Sequence, residues 1–135
     1  MANRTFYPSM SYGIGRVYMD GRFTCNGASA PLASSINGSD GINSFAHTGG
    51  TNVITITFKD AFYKVISASW EFVKTSAAGQ YVVTNAITNE GTSTPLAISI
   101  AMFNAAGTAL NDAASTNDIG FSLALKNSYG GSLIK

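Results

Sequence analysis

Apolar and polar residues alternate one by one along four stretches of the chain. In TNVITITFKD, Ile54, Ile56 and Phe58 alternate with Thr55, Thr57 and Lys59. In VISASWEFVK, Ile66, Ala68, Trp70 and Phe72 alternate with Ser67, Ser69 and Glu71. In PLAISIAMFN, Leu96, Ile98, Ile100 and Met102 alternate with Ala97, Ser99 and Ala101; in DIGFSLALKN, Ile119, Phe121, Leu123 and Leu125 alternate with Gly120, Ser122 and Ala124. A period of two sends successive side chains to opposite faces of a strand, so each stretch predicts a strand with one apolar face. Weaker alternation predicts further strands over 14–25, 44–48 and 81–87. The sets Ile54/Ile56/Phe58, Ile66/Trp70/Phe72, Ile98/Ile100/Met102 and Phe121/Leu123/Leu125 are expected to line one shared core.

Turn residues fall between these stretches. Thr48-Gly49-Gly50-Thr51 predicts a hairpin, because glycine accepts the positive φ that tight turns need. TSAAGQ and TNEGTSTP read as loops, NGASAPLASSINGSDG as the longest irregular stretch, and NAAGTALNDAASTND as a long connection with room for one helical turn. Turn signals recur about every ten residues, the spacing of a β-sandwich or barrel. No segment has helical period. The expected fold is all-β: a single antiparallel β-sandwich of about seven or eight strands over residues 1–135, with residues 1–12 as an extended N-terminal arm.

Glu71 excepted, the outward positions of three strong strands are Ala, Ser and Gly rather than charged residues. Either this is a solvent face of short side chains, or it packs closely on another sheet or subunit. Composition sharpens the question. Charged residues make up 11% of the chain, against roughly 25% in soluble domains. A bare low-charge strand face invites association, so a homo-oligomer is expected. The net charge of +1 makes no electrostatic case for direct nucleic-acid binding. No apolar run reaches the length of a membrane span, so no membrane partner is expected. MANRTFYPSM lacks the apolar region of a secretory signal.

Candidate chemistry is sparse. Cys25 is the one cysteine and His47 the one imidazole; they stand on different segments, and Cys25 reads as a buried inert thiol. One Cys and one His do not make a zinc site, and the carboxylates are scattered singly, without calcium-loop spacing. Asp20-Gly21, Asp40-Gly41 and Asp60 read as turn formers, and Glu71 as an outward strand residue. Gly13-x-Gly15 lacks the third glycine of a dinucleotide fingerprint. Trp70 with Phe72 is weighed as a sugar platform, but a face shared with Ile66 and Ala68 favours core packing. No catalytic, cofactor or metal residue is expected, and the chain reads as non-enzymatic. In the N-terminal arm, Phe6, Tyr7, Met10 and Tyr12 are dense in apolar surface for a terminus. They are the candidate contacts to neighbouring or sister subunits.

Three runs carry a resemblance: RTFYPSMSYGIGRVYMDGRFTCNGASAP, GINSFAHTGGTNVITITFKDAFYKVISASWEFV and NAAGTALNDAASTNDIGFSLALKNS. Together they resemble small virion proteins of tailed bacteriophages, of the kind that decorate or cement capsids. The resemblance implies a jelly-roll-like sandwich, a homotrimer, and the major capsid protein as partner. It also implies a place on the capsid surface of the virion after synthesis in the host cytoplasm. A tail or surface module that binds a receptor glycan is the alternative, and a tail-tube or adaptor protein a third.

Overall fold

The computed structural model describes residues 10–13, 15–38 and 40–126. The expected strands form as β2 (Arg16–Thr24), β4 (Ile42–His47), β5 (Val53–Phe58), β6 (Lys64–Lys74), β7 (Tyr81–Thr88), β8 (Ala97–Phe103) and β9 (Asp118–Lys126); two strands are unexpected, β1 (Met10–Gly13), which reaches into the segment read as an arm, and the two-residue β3 (Asn37–Gly38), both paired with β2. Sheet I has the order β1-β2-β9-β6 and sheet II the order β4-β5-β8-β7, and every pairing is antiparallel. The fold is a two-sheet sandwich. Its connectivity is that of a jelly roll shortened by one hairpin: β2 pairs with β9 in one sheet, and further inward along the chain β5, with β4 at its side, pairs with β8 in the other. The innermost strands, β6 and β7, then separate, β6 joining β9 and β7 joining β8. Residues 104–117 form turns and an isolated bridge, Phe103 to Ala109, with no helical turn; a 3-10 turn lies at Ala33–Ser35.

The inward faces meet as predicted for Ile54, Ile56, Phe58, Trp70, Ile98, Ile100, Met102, Phe121, Leu123 and Leu125, all buried in one cluster with Phe23 and Leu96. Ile66 is a correction. The register of β6 on β9 slips between Val65 and Ser67, so Val65 lies opposite Leu125 and Ala68 opposite Leu123. Ile66 is the extra residue of this bulge and is 42% exposed. Asp20-Gly21 is a second correction. The pair forms no turn; it lies inside β2, where Gly21 sits opposite Phe121 and leaves that inward position free of a side chain.

Trp70 joins the two separated strands. Its ring packs 5.8 Å from that of Phe121, and its Nε1–H donates to Thr84 Oγ1 across the sheets at 2.9 Å. Trp70→Ala should therefore lower stability by about 3–5 kcal/mol, the usual loss for emptying a large aromatic site. Trp70→Phe, which keeps most of the ring and loses the donor, should cost only about 0.5–1.5 kcal/mol. Urea unfolding of the two variants checks the order.

Candidate functional site

The two outer faces differ in charge. The charges of the strands gather on sheet I: Arg16, Asp20 and Arg22 on β2, Asp118 and Lys126 on β9, and Lys64, Glu71 and Lys74 on β6. The strands of sheet II contain no Asp, Glu, Lys or Arg at all. Their outward residues run Ser44 and Ala46 on β4, Val53, Thr55 and Thr57 on β5, Ala97, Ser99, Ala101 and Phe103 on β8, and Tyr81, Val83 and Ala86 on β7.

The small residues of the central strands are partly roofed by their own neighbours. Ala101 is flanked in register by Val53 and Val83 and is only 4% exposed. On sheet I, a Cβ at Gly120 would lie 2.6 Å from Val73 Cγ2, so this glycine is what lets Val73 lie across β9. The roofing side chains stay in solvent in their turn. Tyr81, Val83, Ile66, Val73 and Ile87 are large, apolar and exposed, and all belong to β6 and β7. These are the edge strands of the two sheets on one side of the sandwich. Tyr81 stacks on Phe103 with ring centroids 5.3 Å apart, which fixes a flat aromatic pair at the start of β7. Edge strands usually carry charge or proline against further pairing; β7 carries neither.

One end of the sandwich is tied together by the β8–β9 connection. Asn117 is buried, its Oδ1 accepts the Ser76 N–H at 2.7 Å, its Nδ2 donates to Ala114 O, and its carbonyl accepts the Cys25 N–H. Ala113 O accepts from Gly27 N–H. Asp112, with φ of 50°, accepts the Gly50 N–H on both carboxylate oxygens at 2.9 and 3.0 Å, while its own N–H donates to Thr51 O. It thereby grips the predicted Thr48–Thr51 hairpin. His47 stands behind this grip with its side chain 2% exposed. Its Nδ1 donates to Val53 O at 2.7 Å and its Nε2 faces Asp112 Oδ1 at 2.9 Å. Both ring nitrogens are therefore engaged, one with the β5 backbone and one with the carboxylate that holds the hairpin. His47 is thus committed to the hairpin grip.

Cys25 is buried, and burial, with the Asp118 charge second, pushes its thiol up to about 12, so it stays a thiol at neutral pH. Trp70 is a core residue, not a platform. Asp40 pairs with Lys59 at 3.0 Å, and Glu71 points outward opposite Gly120, as expected. An open groove of about 380 Å³ crosses sheet I between Asp20, Arg22, Asn37 and Glu71, and Arg22 is held by Asp118 at 2.8 Å. Of the arm residues, Met10 and Tyr12 fall in β1, which pairs with β2; Phe6 and Tyr7 lie outside the described residues. Among the described residues no three His, Cys, Asp or Glu side chains converge on a metal position, and no helix is long and apolar enough to cross a membrane.

The class defined by these features is a jelly-roll-like β-sandwich with one charged face, one charge-free face and an apolar side formed by two edge strands. Nothing among protein-family models, curated proteins or solved structures matches the chain.

The Asp112 grip has a pH signature. Its carboxyl is held below the ordinary value of 3.8, first by the His47 hydrogen bond and then by the Gly50 N–H. A lowered folded-state value stabilises the fold fully above the ordinary carboxylate range, and the contribution disappears as pH falls through the folded-state value. Wild type should exceed Asp112→Asn in urea midpoint at about pH 6, and the two should converge toward about pH 2.

Proposed function

We propose that this chain is a non-enzymatic structural protein of a bacteriophage virion, a capsid decoration or cement protein that binds the shell as a homotrimer and stabilises it. The observation that carries the reading is the charge-free outer face of sheet II. A face with Tyr81, Val83 and Phe103 at one margin and short neutral residues across its middle can be covered at little desolvation cost. The exposed apolar side of β6 and β7 adjoins it, so a neighbouring subunit can bury both. The partners are sister subunits and the major capsid protein, and the place of action is the capsid surface. Burial of apolar area between neighbours opposes their separation under internal pressure. The committed state of His47 and the protonated Cys25 fit a protein that does no group-transfer chemistry.

A second reading rests on the sheet I groove. Asp20 and Glu71, on two of its walls, can pair with sugar hydroxyls, which suits a receptor- or glycan-binding module of the tail or surface.

The test places a charge in the middle of the covered surface. Light scattering of wild type should report three copies of the 14.0 kDa chain, and the protein should bind shells that lack it. Val83→Lys, at an exposed position, should keep the far-ultraviolet dichroism of the fold. It should weaken assembly or shell binding about tenfold or more, the effect of a charge in an interface core. A monomeric wild type that ignores shells and binds an oligosaccharide, with loss on Glu71→Gln, sinks the first reading in favour of the second.

The arm makes a separate contribution in this proposal, through Phe6, Tyr7, Met10 and Tyr12. Because Met10–Gly13 is part of sheet I, the informative deletion is residues 2–9, which leaves β1 in place. Its expected result is an intact fold with weaker shell binding; unchanged affinity removes Phe6 and Tyr7 from the contact.

A further inference from the structure

At one end of sheet I, three cations stand side by side. Arg16 on β2 is the register partner of Lys126 on β9, and Lys126 is in turn the partner of Lys64 on β6. Their neighbours Val17, Leu125 and Val65 face the core, so all three cations face outward in one row across the sheet. Like charges directly opposite on neighbouring strands destabilise a sheet. Among the described residues the ion pairs are Arg22–Asp118, Lys59–Asp40 and His47–Asp112, and none involves the row. The carboxylate nearest Lys64 along the strand edge, Glu90, accepts the Val65 N–H at 2.6 Å and forms no ion pair with Lys64. Lys126 Nζ instead lies 5.2 Å above the ring of Tyr63.

We propose that Arg16, Lys126 and Lys64 form a docking site for an acidic protein segment whose carboxylates lie across the row. Neighbouring strands are about 4.8 Å apart, so the row is about 10 Å wide. Acids at alternate positions of an extended segment are about 7 Å apart and lie over it without strain. A bound acid turns an unfavourable row into ion pairs, so the stability lost in the free protein returns as affinity. The same face favours a protein over a nucleic acid. Two rows along from the cations stands Asp20, and beyond it Glu71 and Asp118 alternate with Arg22 and Lys74, so the unbroken positive charge ends with the row. A continuous polyanion would run onto these carboxylates, whereas a short acidic segment ends before them. The net charge of +1 also gives no long-range attraction for a polyanion. This site lies on the face opposite the charge-free one and stands independently of the virion reading.

The test titrates a capped peptide of alternating Asp and Ser into isotope-labelled full-length protein. Backbone amide shifts should centre on Arg16, Lys64 and Lys126, and affinity should fall as salt is raised. Lys126→Gln should weaken binding about tenfold, the equivalent of one ion pair, while the unfolding midpoint of the free variant rises. Lys64→Gln, which leaves the Tyr63 contact alone, should do the same. A lower midpoint in both variants would mean that the row is structural, and overturns the proposal. So does a peptide response that is absent or centred elsewhere, or a single-stranded oligonucleotide of about ten residues that binds the row more tightly than the peptide.

Discussion

The burial of β8 and β9 against each other's sheets is the contact on which the other elements depend. Ile98, Ile100, Met102, Ile119 and Leu125 are fully buried, and each of these two strands has hydrogen-bonded partners on both sides. An inward face this apolar leaves the outward face as the place where anything other than packing is decided. On β9 that face is Gly120, Ser122 and Ala124; on β8 it is Ala97, Ser99 and Ala101. Short residues at the middle of each sheet let the flanking strands lean over them, as Val73 does over Gly120. Of the large exposed apolar side chains among the described strand residues, all but Tyr18 of β2 stand on the edge strands β6 and β7.

Charge follows the same division. Sheet I carries ions on each of β2, β9 and β6 and sheet II carries none. A sheet face without charge is easily covered and difficult to keep soluble; a face with three cations in a row is soluble and strained. The two faces of a single small domain thus differ in kind, one neutral and one ionic. The loops at one end are braced by Asn117 and Asp112, and that end offers a rigid frame rather than a mobile site.

The strands were legible because period two survives wherever one face is buried and the other is not. Trp70 and Phe121 fell on the core side as read. Ile66 did not, because a bulge adds one residue without any mark in the pattern, and a single slip exchanges the two faces. Asp20-Gly21 reads as a turn in isolation, but the pairing of β2 with β9 overrides local preference. The charge-free face had a visible trace that alternation alone does not reveal: no Asp, Glu, Lys or Arg occurs over 41–58, 75–89 or 91–111, the segments that supply every strand of sheet II. The cation row had no such trace. Residues 16, 64 and 126 are far apart in sequence, and only the register of three strands brings them together.

The separation of β6 from β7 has a mechanical consequence. In a longer jelly roll further strands would flank both; here each has a single hydrogen-bonded neighbour. Across the gap stand the Trp70–Thr84 hydrogen bond and the turn over 75–80. A load that pries the sheets apart meets two-sided ladders at β8 and β9 but one-sided ladders here. The sandwich is therefore like a bound volume with its fore-edge at β6 and β7, where the sheets can part while the two-sided ladders of β8 and β9 stay closed.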